Sequence, residues 1–144
     1  MKRKSLLIAC LFFTAAAVFA QTPADQAAIE EREKLAVSLA NQQLDAYNER
    51  NIDKFLMPYS DSVKVYSFPD KLQYKGKTLM RERYEKFFAT TPNLKCEITK
   101  RIIRGSTIID EEKITGISAN AITGVAIYTI ENNKISKVYF VGRR

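Results

Sequence analysis

The chain has 144 residues, no histidine and two cysteines, so no Ser-His-Asp or Cys-His catalytic group can be built and the usual neutral nitrogen ligand for zinc is missing. Its formal charge of +7 is spread along the sequence rather than gathered into a basic stripe with interleaved aromatics, which argues against nucleic acid as a partner. The five glycines stand singly, so there is no Gly-rich phosphate loop, and neither a metal nor a cofactor is expected.

Lys2, Arg3 and Lys4 precede an apolar run from Leu6 to Phe19 that closes in the small-residue site Val18-Phe19-Ala20. This is the pattern of a secretory signal peptide, and the run is too short for a stable membrane span. Residues 1–20 therefore read as a signal and residues 21–144 as one exported domain, periplasmic or secreted. Leu7-Ile8-Ala9-Cys10 looks like a lipobox, but the apolar run continues through Leu11-Phe12-Phe13 to a usable cleavage site, which argues against lipoprotein processing at Cys10. Removing Lys2, Arg3 and Lys4 lowers the charge from +7 to +4, a value that favours solubility with a mild preference for anionic partners. Only Cys96 remains, so no intrachain disulfide forms. In Leu94-Lys95-Cys96-Glu97-Ile98 it reads as a small buried hydrophobe.

Thr22-Pro23-Ala24-Asp25 is a helix start, with a capping threonine, proline at the first position and an acid facing the free amides. The helix is expected to run to about Asn48 and to bury Ile29, Arg32, Ala36, Ala40, Leu44 and Tyr47, with Glu30, Glu31, Glu33 and Lys34 solvated. Asn51 caps a short helix, Ile52 to Met57, that Pro58 stops and that turns Phe55 and Leu56 inward. Alternation around Val63 and Val65 predicts a strand from Asp61 to Ser67, broken at Phe68-Pro69-Asp70. A brief pairing over Leu72 to Tyr74 leads to Gly76 and a second long helix, Lys77 to about Thr90, burying Met80, Tyr84, Phe87 and Phe88. Four runs rich in Ile, Val, Thr and Tyr follow: Leu94–Arg104, Thr107–Gly116, Ala121–Glu131 and Lys134–Val141. Gly105-Ser106 and Asn132-Asn133 are tight turn pairs, so these strands form an antiparallel meander and the class is α+β. The last two strands are apolar on both faces. One face suits the helices and a pocket, and the other suits a second copy of the chain.

Several segments together resemble the SnoaL-like branch of the nuclear transport factor 2-like superfamily. They are Leu44-Asp45-Ala46-Tyr47-Asn48 with Ile52-Asp53-Lys54-Phe55, then Tyr59-Ser60-Asp61-Ser62-Val63, Phe68-Pro69, Lys75-Gly76-Lys77, Arg81-Glu82-Arg83-Tyr84 and Ile109 to Gly116. The resemblance spans about residues 36–142. It implies a conical α+β fold, with N-terminal helices packed on a curved, mostly antiparallel sheet that encloses a pocket, and a homodimer through the outer sheet face. Steroid isomerase-like members place a carboxylate base at the end of the first strand and a tyrosine donor on the first helix. The matching places here hold Ser67 or Phe68, and a position close to Gln43, which weighs against ketosteroid isomerisation.

On the Thr107–Gly116 strand, Ile108, Asp110, Glu112 and Ile114 share one face. A carboxylate bracketed by isoleucines on an inward face is disfavoured in its charged form and suits acid or base work, and Glu112 is the best single catalytic candidate. The competing reading is cross-strand ion pairing with Lys100, Arg101 or Arg104. Tyr47, Phe55, Tyr66, Phe68, Tyr84, Phe87, Phe88 and Tyr139 are candidate pocket residues, although aromatics at helical spacing usually pack in cores. Two functions compete: a module binding a small apolar or amphipathic molecule, and a cofactor-free isomerase, cyclase or dehydratase using Glu112. An interaction subunit with a vestigial pocket is a third.

Overall fold

The computed structural model describes residues 22–142, so the expected signal sequence and Cys10 lie outside the described residues. Helix α1 spans Pro23–Glu49, α2 Ile52–Leu56 and α3 Lys77–Thr90. The strands are β1 Tyr59–Ser67, β2 Lys71–Lys75, β3 Lys95–Arg104, β4 Thr107–Thr115, β5 Ile122–Glu131 and β6 Lys134–Val141. They form one open sheet in the order β2-β1-β6-β5-β4-β3. All neighbours are antiparallel except β1 and β6, a parallel pair that joins the N-terminal hairpin to the meander. Helix α1 packs on β3 and β4 while α3 packs on β1 and β2, so the middle of the sheet is roofed by the seam between the helices.

Local chemistry accounts for the elements. Thr22 and Asp25 close a reciprocal capping box with Pro23 at the helix start, and Asn51 accepts from the Lys54 amide to cap α2. Asn132 and Asn133 both have positive φ, the backbone that a two-residue turn between right-twisted strands requires. Gly116 also has positive φ, and a β-carbon there would collide with the backbone of Asn93 and Leu94.

Small residues Ala36, Ala40 and Ala46 let α1 settle against the sheet, and the core joins them to Leu39, Phe55, Leu56, Val63, Val65, Ile108, Ile114 and Val138. Arg32 is exposed, contrary to the helical pattern, because the first turns of α1 run beyond the sheet. Glu33 is not fully solvated as expected; its carboxylate accepts from the Gly105 amide at 2.9 Å. Seven or eight residues apart on the same stripe, Asn41 and Asn48 make two more polar attachments. Asn48 exchanges two hydrogen bonds with the backbone of Cys96, at 2.7 and 3.0 Å, and so satisfies the free edge of β3.

Asn41 accepts from Arg101, whose guanidinium also grips Asp110 with two parallel bonds of 2.6 and 2.7 Å. Asp110 is 0% exposed. The pair holds the Arg101 pKa above its ordinary value, chiefly through the hydrogen bonds it donates to Asp110. A register break between Ile98 and Lys100 makes this possible. It inserts Thr99 and reverses the alternation of β3, so that Arg101 faces inward with Cys96 and Ile98.

Removing only the cation strands a buried carboxylate. Arg101→Met is expected to cost about 3–5 kcal/mol, read as a fall in the urea midpoint, whereas Arg101→Met combined with Asp110→Leu recovers most of that loss. A single-variant cost below about 1 kcal/mol would show that the pair does not hold α1 to the sheet.

Candidate functional site

Beneath the seam between α1 and α3 lies a small polar cavity of about 20 Å³, enough for roughly one water molecule. Gln43, Tyr59, Glu112 and Tyr128 supply its polar groups, and Leu44, Cys96 and Ile114 are among its apolar walls. Gln43 comes from α1 at the turn where Ala40 and Ala46 hold the helix close. Tyr59 opens β1, Glu112 is on the inner face of β4 and Tyr128 on that of β5.

The polar groups form one chain of donors. Tyr59 Oη donates to Gln43 Oε1 at 3.3 Å, and Gln43 Nε2 donates to Tyr128 Oη at 3.2 Å. Tyr128 Oη then donates to Glu112 Oε1 at 3.1 Å. Each link polarises the next, and the chain ends on a carboxylate. Glu112 is 5% exposed, and its register partner on β5 is Gly124, which brings no side chain to that face. Burial, reinforced by the Glu112 charge, pushes the Tyr128 phenol well above its ordinary value of 10.0. Tyr128 therefore stays a donor at every physiological pH.

A second, larger recess of about 250 Å³ opens to solvent beside this cavity. Val65, Phe87 and Phe140 give it apolar walls, and Gln73, Tyr74 and Arg83 stand at its edge. Tyr47, Tyr84 and Phe140 line both spaces and so form the partition between them. Tyr47 and Tyr84 of the partition pack with Phe55 and Phe88 behind it in one cluster, with ring centroids 4.4 Å apart at the closest.

This places each residue singled out from the sequence. Glu112 borders the polar cavity, Tyr47 and Tyr84 border both spaces, and Phe87 borders the recess. Phe55 and Phe88 sit behind them in the core. Three expected pocket residues are elsewhere. Phe68 is 56% exposed in the β1–β2 turn. Tyr66 and Tyr139 stack on each other at 4.8 Å on the outer face, because Val65 on β1 and Phe140 on β6 take the inward positions beside them. The anticipated ion pairing of the β4 acids holds for Asp110 with Arg101, while Glu112 accepts from the Tyr128 phenol. The sequence marks the place of Gln43 only as one without a tyrosine donor, and does not single out Tyr59 or Tyr128 as site residues. Their strand alternation was the available signal, since Tyr59 shares its face with Val63 and Val65, and Tyr128 with Ala126 and Ile130.

The model of the SnoaL-like domain matches residues 40–138, which is most of the described chain and contains Gln43, Tyr59, Glu112 and Tyr128, the four polar groups of the cavity. The chain belongs to the SnoaL-like family. No curated protein matches it in sequence. Solved structures share its architecture. A cystatin-fold protein from Novosphingobium aromaticivorans aligns with a TM-score of 0.69 at 22% identity, over 74% of this chain and 97% of that one. A SnoaL-like protein from Burkholderia thailandensis aligns with a TM-score of 0.66 at 14% identity, over 78% of this chain and 96% of that one. An epoxide hydrolase from Mycobacterium tuberculosis aligns with a TM-score of 0.62 at 10% identity, over 76% and 83%. At these identities the likeness is one of fold, and the fold of this SnoaL-like domain hosts at least one enzyme class.

Tyr128→Phe removes the donor on Glu112 and the acceptor for Gln43, and is expected to cost about 1–3 kcal/mol at neutral pH. The folded chain also keeps the Tyr128 proton where the unfolded chain releases it, so wild-type stability falls as pH rises past 10. The variant should lose less over that range, measured as urea midpoints between pH 8 and pH 11. Parallel curves for the two proteins would contradict this.

Proposed function

We propose that this SnoaL-like domain is exported and binds a small apolar or amphipathic molecule in the recess between α1, α3 and the sheet. The observation that carries the reading is the pairing of an apolar-walled recess of about 250 Å³ with a buried polar chain behind its aromatic partition. Ligand sites combine apolar walls with a few fixed polar groups, and this recess lies just below the usual range of about 300–1,000 Å³. Export is supported by the Lys2-Arg3-Lys4 start, the apolar run and the Val18-Phe19-Ala20 site.

The same domain is proposed to act as a homodimer through the outer sheet face. Leu72, Tyr66, Tyr139, Ile127, Ile109 and Ile102 are cross-strand neighbours that form one apolar row over all six strands. Leu72 and Ile102, at its two ends, are 51% and 53% exposed in the single chain. A second copy covers such a row with the same row.

A cofactor-free proton-transfer enzyme is the second reading, favoured by the inward, buried Glu112 that borders the cavity and accepts from the Tyr128 phenol. General acid or base catalysis by one positioned group supplies about 10²–10⁴-fold, so Glu112→Gln should abolish by that factor any turnover found among carbonyl or polycyclic compounds.

Native mass spectrometry of residues 21–144 taken from the exported fraction is expected to show a dimer carrying a small-molecule mass. Ile127→Lys, in the middle of the row, should give a folded monomer. An empty protein that takes up no apolar compound would refute the binding reading, and an unaltered dimer in Ile127→Lys would refute the interface.

A further inference from the structure

Among the described residues the recess has one cationic lining residue, Arg83, and its setting differs from that of Lys77 and Arg81 on the same helix. Lys77 pairs with Asp61 at 2.9 Å, and Arg81 pairs with Asp53 at 2.8 Å. Among the described residues no carboxylate lies within ion-pair distance of Arg83. Its guanidinium instead lies over the Tyr74 ring, 4.7 Å from the centroid. Tyr74 is buried, being held on β2 opposite Val65. A flat cation on a fixed ring is held in place with its face occupied, and its N–H groups project from the rim of the stack. That is the orientation in which a guanidinium meets a carboxylate edge to edge.

The remaining lining sorts by depth. Arg83, Tyr74 and Gln73 belong to α3 and the edge strand β2, whereas Tyr47, Tyr84 and Phe140 form the partition toward the polar cavity. Gln73 is exposed, and its side chain makes a long 3.4 Å contact to the Lys71 carbonyl, so its amide can turn to a ligand. Among the described residues no acidic residue lines the recess. A neutral or cationic ligand would leave the guanidinium at this apolar mouth uncompensated, while an anion would match it.

We infer that the ligand is an apolar monocarboxylate, bound with its carboxylate at Arg83 and Gln73 and its hydrocarbon body against Val65, Phe87 and Phe140. This deepens the binding reading and rests on it. The carboxylate stays at the solvent-facing end, so the opposite end of the molecule is the part that reaches the Tyr47–Tyr84–Phe140 partition and the Glu112 chain beyond it.

The test uses naphthalene-2-carboxylate and the neutral 2-naphthalenemethanol, titrated into residues 21–144 and followed by protein-observed NMR. The carboxylate is expected to bind about tenfold more tightly, in keeping with one charge-assisted pair. Shifts should centre on Tyr47, Tyr84, Phe87 and Phe140. Arg83→Gln should bring the carboxylate down to the affinity of the alcohol and leave the alcohol unchanged, and Arg83→Lys should retain only part of the preference. Equal binding of the two probes to the wild type would overturn the carboxylate assignment and leave the recess as a ligand site. Shifts from neither probe at these residues would overturn the binding reading itself, and this inference with it.

Discussion

The ion pair between Arg101 and Asp110 is the constraint on which the rest of the domain depends. It sits beneath α1 at the inner surface of β3 and β4, and Asn41 links it to the helix. A buried carboxylate requires its cation, and the cation is on the correct face only because the bulge at Thr99 reverses the strand. Glu33 and Asn48 complete the attachment on either side, at the β3–β4 turn and at the start of β3. With these three contacts α1 has one available rotation about its axis. That rotation aims Gln43 and Tyr47 at the site.

Two carboxylates on one strand face thus meet different environments. Asp110 is neutralised by a guanidinium and serves architecture. Glu112, one step along the same face, receives a phenol at the end of a chain of neutral donors and borders a cavity. Separating two acids in this way is how a fold assigns them separate roles. Between Glu112 and solvent stand the rings of Tyr47, Tyr84 and Phe140. The recess is thus open to solvent while the carboxylate behind it is not, and reaching Glu112 from the recess requires those rings to move.

The sheet has two apolar faces with separate uses. Its inner face carries the core and the polar chain, and its outer face carries the row from Leu72 to Ile102. Tyr66 and Tyr139 show how the division works. Both are large aromatics, yet each lies one residue from an inward side chain and so belongs to the opposite surface.

Local chemistry, legible in the sequence, determined the elements. The capping box at Thr22, the stop at Pro58, the helix after Gly76, the Asn132-Asn133 turn and the alternation of β4 all act over a few residues, and the helices and strands appear within about two residues of their expected bounds. The inward facing of Glu112 followed from that same alternation. The parallel pairing of β1 with β6 could not be read locally, since it joins segments far apart in the chain. Three further features were decided by tertiary structure alone: the bulges, the partners of the two acids, and the sorting of the aromatics. A bulge inserts one residue and exchanges every subsequent side chain between faces, so Arg101 and Ile135 point inward although strict alternation from Ile98 and Val138 places them outward. Pattern reading carries the period along a strand, whereas the phase is set by what the neighbouring strands and the helix above require.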